Sequence, residues 1–219
     1  MARSKLIRDF ITSQMDIDTA LQNLIAILYC LDNEVLINWA KKELEGYDSS
    51  DELPNYRKLK GRVMASFLVG SAQYSKRQFG ISHLDEEFKD KLLKLNIYSS
   101  ISTLIGILDK DVTIGKSIEP EIYPLLQSNS NAYITNASVD ADMCKINDII
   151  SKVKTRILET LLLLEKEFGN LDELDIDISI KSEKELESII RNIQVTLYDN
   201  SISIGDNNKI KNSDIVTNK

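Results

Sequence analysis

The sequence predicts a mostly helical α+β protein: an N-terminal helical bundle, one β-hairpin, a long spine helix and a short C-terminal β-forming tail. Glycine (8) and proline (3) are scarce among the 219 residues, which favours long regular elements over a loop-rich sandwich. Apolar residues recur mostly at steps of three and four, as on helices, and alternate in only a few short stretches. With 42% hydrophobic residues the chain can bury a sizeable core.

Three short helices are predicted in the first third of the chain. Apolar residues line one face over residues 6–11 and again over residues 17–28. Asp16 and Asn33 are placed to cap the second and third helices, and Gly46 is placed to end the third. Short connections of this kind favour antiparallel neighbours, hence a bundle.

A different pattern follows the bundle. Two alternating stretches, residues 62–69 and 74–79, meet at Gly70 and predict a β-hairpin. Two more helices are predicted near residues 85–95 and 100–108.

The longest periodic segment predicts a helix near residues 141–168 that ends at Gly169. Its apolar stripe is formed by Ile146, Ile150, Val153, Ile157, Leu161, Leu164 and Phe168. We interpret the helix as the spine of its own domain, and a coiled-coil seam is the alternative.

The C-terminal part divides into an extension (171–194) and a tail (195–219) that follow a body of residues 1–170. Isoleucines alternate with polar residues over residues 174–180, which predicts a strand, and Ser182 with Glu185 then forms a capping box for a helix. The tail is rich in isoleucine and asparagine, and its apolar steps of five and six residues suggest either short β-solenoid coils or disorder. Its candidate assembly residues are Ile202, Ile204, Ile210 and Ile215.

The net charge and the two cysteines limit which partners and which cellular compartment are expected. The net charge of −7 disfavours nucleic acid unless cations cluster, and we interpret the cations between Lys58 and Arg77 as a solvated strand face. Cys30 and Cys144 lie among apolar residues, so buried free thiols in a reducing compartment are expected. No stretch resembles a signal peptide or a membrane span. We expect a cytoplasmic protein without membrane contact.

No catalytic, cofactor-binding or metal site is evident in the sequence. His83 is the one histidine, and it precedes a predicted helix. The tripeptide at Gly115–Ser117 has Lys110 where a phosphate-binding loop needs glycine, so we reject that interpretation.

One motif carries a family resemblance. A W-x3-E-L-x-G-Y pattern is followed by L-P-x-Y-R, and its residues are Trp39, Glu43, Leu44, Gly46, Tyr47, Leu53, Pro54, Tyr56 and Arg57. Together with residues 153–167, which look like the closing helix, it resembles the AbiTii domain at the N-terminus of bacterial abortive-infection proteins. The resemblance covers residues 4–168 and implies defence against phage, with no catalytic residues to transfer.

We interpret the motif as structural. Trp39 and Tyr47 lie two helical turns apart and are placed to pack under the polar loop of residues 48–55, and Arg57 is placed to reach back to Glu43 or Glu45.

Three functional hypotheses remain open. The first is an interaction module that self-assembles as a homo-oligomer or binds a phage component or host effector protein. The second is a metal-dependent nuclease or nucleotide-processing toxin that uses Glu43, Asp51 and Glu52 with Arg57. The third is a ligand-sensing regulator of a separate effector. The first is favoured, so an enzyme is the less favoured alternative.

Overall fold

The computed structural model describes residues 3–108, 110 and 112–198, and its architecture is α+β, as predicted. The helices are α1 (Lys5–Ile11), α2 (Ile17–Tyr29), α3 (Glu34–Glu45), α4 (Glu86–Leu93), α5 (Ile101–Leu108), α6 (Tyr123–Leu126), α7 (Met143–Phe168) and α8 (Glu183–Tyr198). The strands are β1 (Lys58–Lys60), β2 (Arg62–Val69), β3 (Ala72–Gln78), β4 (Lys94–Asn96), β5 (Gly115–Ser117) and β6 (Tyr133–Asp140). Short 3-10 helices cover Asn55–Arg57, Pro120–Ile122 and Ile178–Ile180.

Helices α2 and α3 begin directly after the predicted caps, and α3 ends directly before the predicted Gly46. The Asp16 side chain accepts a hydrogen bond from the Thr19 amide at 2.7 Å, and the Asn33 side chain accepts one from the Leu36 amide at 3.2 Å. These bonds satisfy amides that have no partner within the first turn of a helix. At the other end of α3, Gly46 has a φ of +102°, a conformation that side-chain-bearing residues rarely adopt.

The sheet extends the predicted hairpin with two further strands. Four antiparallel strands lie in the order β3-β2-β6-β5, and β1 pairs separately with β4. Strand β6, the neighbour of β2, was not predicted. The pairing of β2 with β6 shifts between Ser66 and Phe67, and this irregularity interrupts the alternation in β6 that a sequence pattern would need.

Gly61 joins the two sheets. A Cβ atom at this position would lie 2.6 Å from Leu95 Cδ1, 2.7 Å from Val139 Cγ1 and 2.8 Å from the Asp140 carbonyl oxygen. Only glycine therefore permits β1 and β2 to pass this close to β4 and β6.

Helix α7 is the spine of the body, as predicted. Its buried stripe, of which Ile146, Val153, Ile157, Leu161 and Leu164 are fully enclosed, packs against α1, α2, α5 and α8 of the same chain. The stripe is thus covered within the chain, which removes the reason to propose a coiled-coil seam.

The strand predicted at residues 174–180 is wrong. This segment contains the 3-10 helix Ile178–Ile180; Ile176 is buried, whereas Ile178 and Ile180 are exposed. The Asp177 side chain accepts from the Ser179 amide at 2.9 Å, and Leu174 has a φ of +55°. A side chain that binds its own backbone two residues on competes with a strand ladder.

The capping box at the start of α8 is present, since Ser182 N donates to Glu185 Oε2 at 2.8 Å. Helix α8 packs against α7 and α3 and continues to Tyr198, so residues 195–198 are helical and the predicted boundary of the tail is four residues too early. The rest of the tail, including Ile202, Ile204, Ile210 and Ile215, lies outside the described residues.

The two cysteines are free thiols, but they are not both buried. Cys30 is partly covered and Cys144 is exposed, which corrects the prediction of two buried thiols. Cys144 lies at the second position of α7, on the side turned away from its apolar stripe. Within the described ranges, none of the helices is both long and apolar enough to span a bilayer.

Candidate functional site

A buried ion pair lies at the centre of the family motif. Glu43 projects inward from α3, and Arg57 lies at the end of the 3-10 helix that leads into β1; both side chains are fully enclosed. Arg57 Nη2 lies 2.5 Å from Glu43 Oε2, and Arg57 Nε donates to Glu43 Oε1 at 3.1 Å. This two-point geometry matches the planar guanidinium to the carboxylate.

Two tyrosines complete the environment of the carboxylate. The hydroxyls of Tyr47 and Tyr56 each donate to Glu43 Oε1 at 2.7 Å, and Trp39 Nε1 donates to the Tyr56 hydroxyl at 3.1 Å. Burial, and then the charge of Glu43, raise the pKa of both tyrosines well above the ordinary value. Both hydroxyls therefore stay protonated and act as hydrogen-bond donors.

Arg57 also binds the backbone of the β4–α5 connection. Its Nη1 donates to the carbonyls of Ile97 at 3.1 Å and Ser99 at 2.7 Å. Burial alone would lower the pKa of Arg57, but the Glu43 carboxylate outweighs it and the pKa is raised. The guanidinium thus stays charged and ties Glu43 of α3 to the backbone that follows β4.

The remaining motif residues shape the backbone around this pair. A Cβ at Gly46 would lie 3.1 Å from the Tyr98 carbonyl oxygen and 3.2 Å from the Ser100 amide, so glycine allows a close approach as well as a positive φ. The Pro54 carbonyl accepts from the Arg57 amide at 2.9 Å. Leu53 is buried and Leu44 is partly buried.

Sequence reasoning missed one member of this cluster, Arg156 of α7. Its side chain is nearly enclosed, its guanidinium carbon lies 4.4 Å from the centre of the Tyr56 ring, and its Nη1 donates to the Leu197 carbonyl. The spacing along α7 could have revealed it. Arg156 lies about one helical turn from both Val153 and Thr160, which places this cation within the apolar stripe. Arg156 connects the motif to the last turn of α8.

Tyr198 makes a second contact at the end of α8. Its hydroxyl donates to the Val35 carbonyl at 3.1 Å. Burial, and then the Glu43 charge, raise the pKa of Tyr198 to about 12. The end of α8 is therefore held against α3 and α7 by polar contacts as well as by Leu197.

The carboxylates of the nuclease hypothesis do not converge. Glu43 is enclosed and already accepts from Arg57 and two tyrosines, Asp51 lies 2.6 Å from Lys42 Nζ, and Glu52 is exposed. Across the described part of the chain, no group of three or more His, Cys, Asp or Glu side chains is placed to hold a metal ion. An open polar depression of about 400 Å³ lies beside Gly46 and Ser100, and its Lys42 is paired with Asp48 and Asp51.

The other polar candidates have structural partners. His83 Nε2 lies 3.2 Å from the Leu125 carbonyl oxygen. Gly115–Ser117 is strand β5 and not a phosphate-binding loop, and Lys116 Nζ donates to the Lys94 carbonyl at 2.8 Å. Burial, followed by the charge of Lys94, lowers the pKa of Lys116.

Three of the five cations between Lys58 and Arg77 face carboxylates. Lys60 lies 2.6 Å from Asp90, Arg62 lies 3.4 Å from Asp142, and Lys76 lies 3.6 Å from Asp140. Their charge is partly neutralised, and the expectation that nucleic acid is not a partner stays a prediction.

These features define the class of the protein: an α+β body built around an enclosed Glu–Arg pair, with the aromatic side chains of its motif turned inward. A family model for AbiTii matches residues 4–192, and the chain belongs to the AbiTii family. The resemblance seen in the motif is thereby confirmed, and the match extends beyond residue 168 into α8. No curated protein and no solved structure matches the chain. Membership suggests a role in abortive-infection defence.

Proposed function

We propose that this chain acts in abortive-infection defence as an interaction module, with the AbiTii body as a rigid carrier and the segment after α8 as the means of self-assembly. The observation that carries the proposal is the inward orientation of the motif. Glu43, Arg57, Tyr47 and Tyr56 direct their polar groups at one another or at backbone carbonyls. A side chain whose hydrogen-bonding groups are all bound within the protein stabilises the fold and has no group left to bind substrate.

The polar cluster also fixes the point from which the tail leaves the body. Arg156 of α7 donates to the Leu197 carbonyl in the final turn of α8, and the Tyr198 hydroxyl in the same turn donates to the Val35 carbonyl of α3, so the end of α8 is held to both helices. A rigid attachment point reduces the loss of conformational entropy on association. The isoleucines at 202, 204, 210 and 215 supply the apolar surface for contact between copies.

A phage challenge tests the proposal in cells. We expect cells that express the full chain to reduce plaque formation relative to cells with an empty vector. Cells that express a chain without residues 199–219, at matched protein level, should lose that protection. Equal protection by the two chains would contradict a role for self-assembly in defence.

The partner is sought in the same cells. Affinity purification before and after infection, followed by mass spectrometry, should recover untagged copies of the chain and, in addition, a phage component or a host effector. Recovery of a specific nuclease activity with the purified chain alone would favour the enzymatic alternative.

A further inference from the structure

The two-stranded ribbon of β1 and β4 carries lysines on its outer face. Lys58 of β1 lies opposite Asn96 of β4, and Lys60 lies directly opposite Lys94. These four side chains are exposed, whereas Leu95 between them points to the other face and is buried. The four exposed positions, which we call the lysine face, therefore contain three cations and no carboxylate.

A fourth lysine approaches the ribbon from β5. Lys116 Nζ donates to the Lys94 carbonyl at 2.8 Å. Burial, and then the charge of Lys94, lower the pKa of Lys116, so these two cations repel each other. Like charges that face each other across a pair of strands destabilise it. The chain has 34 acidic and only 27 basic residues, yet it gathers cations at this ribbon. A bound anion would relieve their repulsion.

Within the described residues, one of these four lysines has a carboxylate partner. Lys60 Nζ lies 2.6 Å from Asp90 Oδ1, and the hydrogen bond and charge of Asp90 raise the pKa of Lys60. No described carboxylate forms an ion pair with Lys58, Lys94 or Lys116. The positive charge of the ribbon is therefore largely uncompensated by the body of the protein itself.

The carboxylates of α4 limit the size of this basic surface. Asp90 lies at the Lys60 end of the ribbon, and Glu86 makes a smaller contribution to the raised pKa of Lys60. A strand of three residues spans only about 10 Å. Double-stranded DNA carries one charge per about 1.7 Å of its axis, so a duplex would bring phosphates against α4 and against a body of an acidic chain. A short acidic segment covers the lysines without this repulsion.

The spacing of the lysines matches that of an extended peptide. Alternate side chains of an extended segment share one face and lie about 7 Å apart, as Lys58 and Lys60 do on β1. We propose that the lysine face binds an extended acidic segment of a partner protein, with alternate carboxylates of that segment against the lysines of β1 and β4. This inference goes beyond the proposed self-assembly, because the surface belongs to the body and no residue after α8 takes part.

A peptide titration of the full chain tests this surface. The probe is a fluorescein-labelled peptide of alternating glutamate and serine, and its anisotropy is followed at low ionic strength, where exposed charges are least screened. We expect saturable binding. Lys58→Glu and Lys94→Glu should each weaken it about tenfold, because each replaces an attraction with a repulsion. The matched control, Lys152→Glu, makes the same change of charge at an exposed position of α7 and should leave the affinity nearly unchanged. Circular dichroism confirms that each variant is folded.

Three results would overturn the inference. The first is equal peptide affinity for the full chain and for both ribbon variants. The second comes from a labelled single-stranded DNA of similar length: if it binds more tightly than the peptide and the ribbon variants lose it, the ligand is nucleic acid. The third comes from light scattering: if Lys58→Glu and Lys94→Glu lower the mass per particle, the lysine face is a contact between copies. We expect both variants to keep the mass of the full chain, so peptide binding and self-assembly fail or stand separately.

Discussion

At the scale of single residues, the ion pair of Glu43 and Arg57 is the feature on which the body depends most. We predict that Glu43→Gln destabilises the protein by about 3–5 kcal/mol, because it leaves the enclosed guanidinium without its counter-charge. Urea unfolding followed by circular dichroism measures the change. The control is Glu87→Gln, which removes an exposed i,i+4 partner of Lys91 and should change stability little.

An unchanged unfolding midpoint for Glu43→Gln would mean that water reaches Arg57 in solution. The guanidinium would then not be a buried charge, and the structural interpretation of the motif would lose its main support.

Trp39 tests the apolar side of the same cluster. Its side chain is 1% exposed, so Trp39→Ala should destabilise by about 3–5 kcal/mol, as truncation of buried aromatic side chains does. Trp39→Phe keeps most of the packing and loses the bond to the Tyr56 hydroxyl, and a smaller loss is expected. A wild-type melting temperature for Trp39→Ala would instead identify Trp39 as a surface binding residue.

At the scale of elements, α1 is attached to the body through carboxylates. Glu165 of α7 accepts from Ser4 N and Ser4 Oγ, both at 2.6 Å, and pairs with Arg3; the loop residue Asp172 accepts from the Leu6 amide at 3.1 Å. Burial alone would raise the pKa of Glu165, but Ser4 and Arg3 outweigh it and the pKa is lowered. Negative charge beside the first amides of a helix is favourable.

The lowered pKa predicts a pH-dependent contribution to stability. A carboxyl whose pKa is depressed in the folded state stabilises above its unfolded value, near 4.5, and this contribution is lost as the pH falls through the folded value. Glu165→Gln should therefore lower the melting temperature at pH 7 and progressively less below pH 4.5. A difference that does not change with pH would show that the effect of Glu165 comes from packing rather than from its charge.

Local sequence patterns predicted most of the helices but only part of the sheet. Asp16, Asn33 and Gly46 cap helix ends that lie within one turn of their own positions. Their capping roles could therefore be predicted from the local sequence. Strand β6 depends on a register shift against β2, which no local pattern encodes. The alternation at residues 174–180 failed because no strand edge pairs with it and Asp177 forms a local turn.

The candidate site likewise contains residues that the sequence predicted and one, Arg156, that it did not. The motif residues and the contact of Arg57 with Glu43 follow from the spacing in the chain. Arg156 comes from a helix a hundred residues away, and its place beside Tyr56 depends on how α7 packs.

At the scale of the whole molecule, the stability of the body should not depend on a metal ion. Glu43 is saturated by internal donors and Asp51 is paired with Lys42, so neither is available as a ligand without breaking those contacts. We expect an unchanged melting temperature after addition of a chelator. A drop that magnesium or manganese restores would revive the metal-dependent alternative.

We propose above all that copies of this chain assemble through the segment that follows α8. Backbone ordering costs about 1–2 kcal/mol per residue, and in this proposal the contact between copies offsets that cost. A net charge of −7 on each chain repels other copies, so a specific contact is required to hold them together.

The most direct measurement is the mass per particle, by light scattering, of the full chain and of the chain without residues 199–219, at equal concentration. We predict a particle of two or more chains for the first and a smaller particle for the second. The same mass for both would contradict assembly through the segment that follows α8.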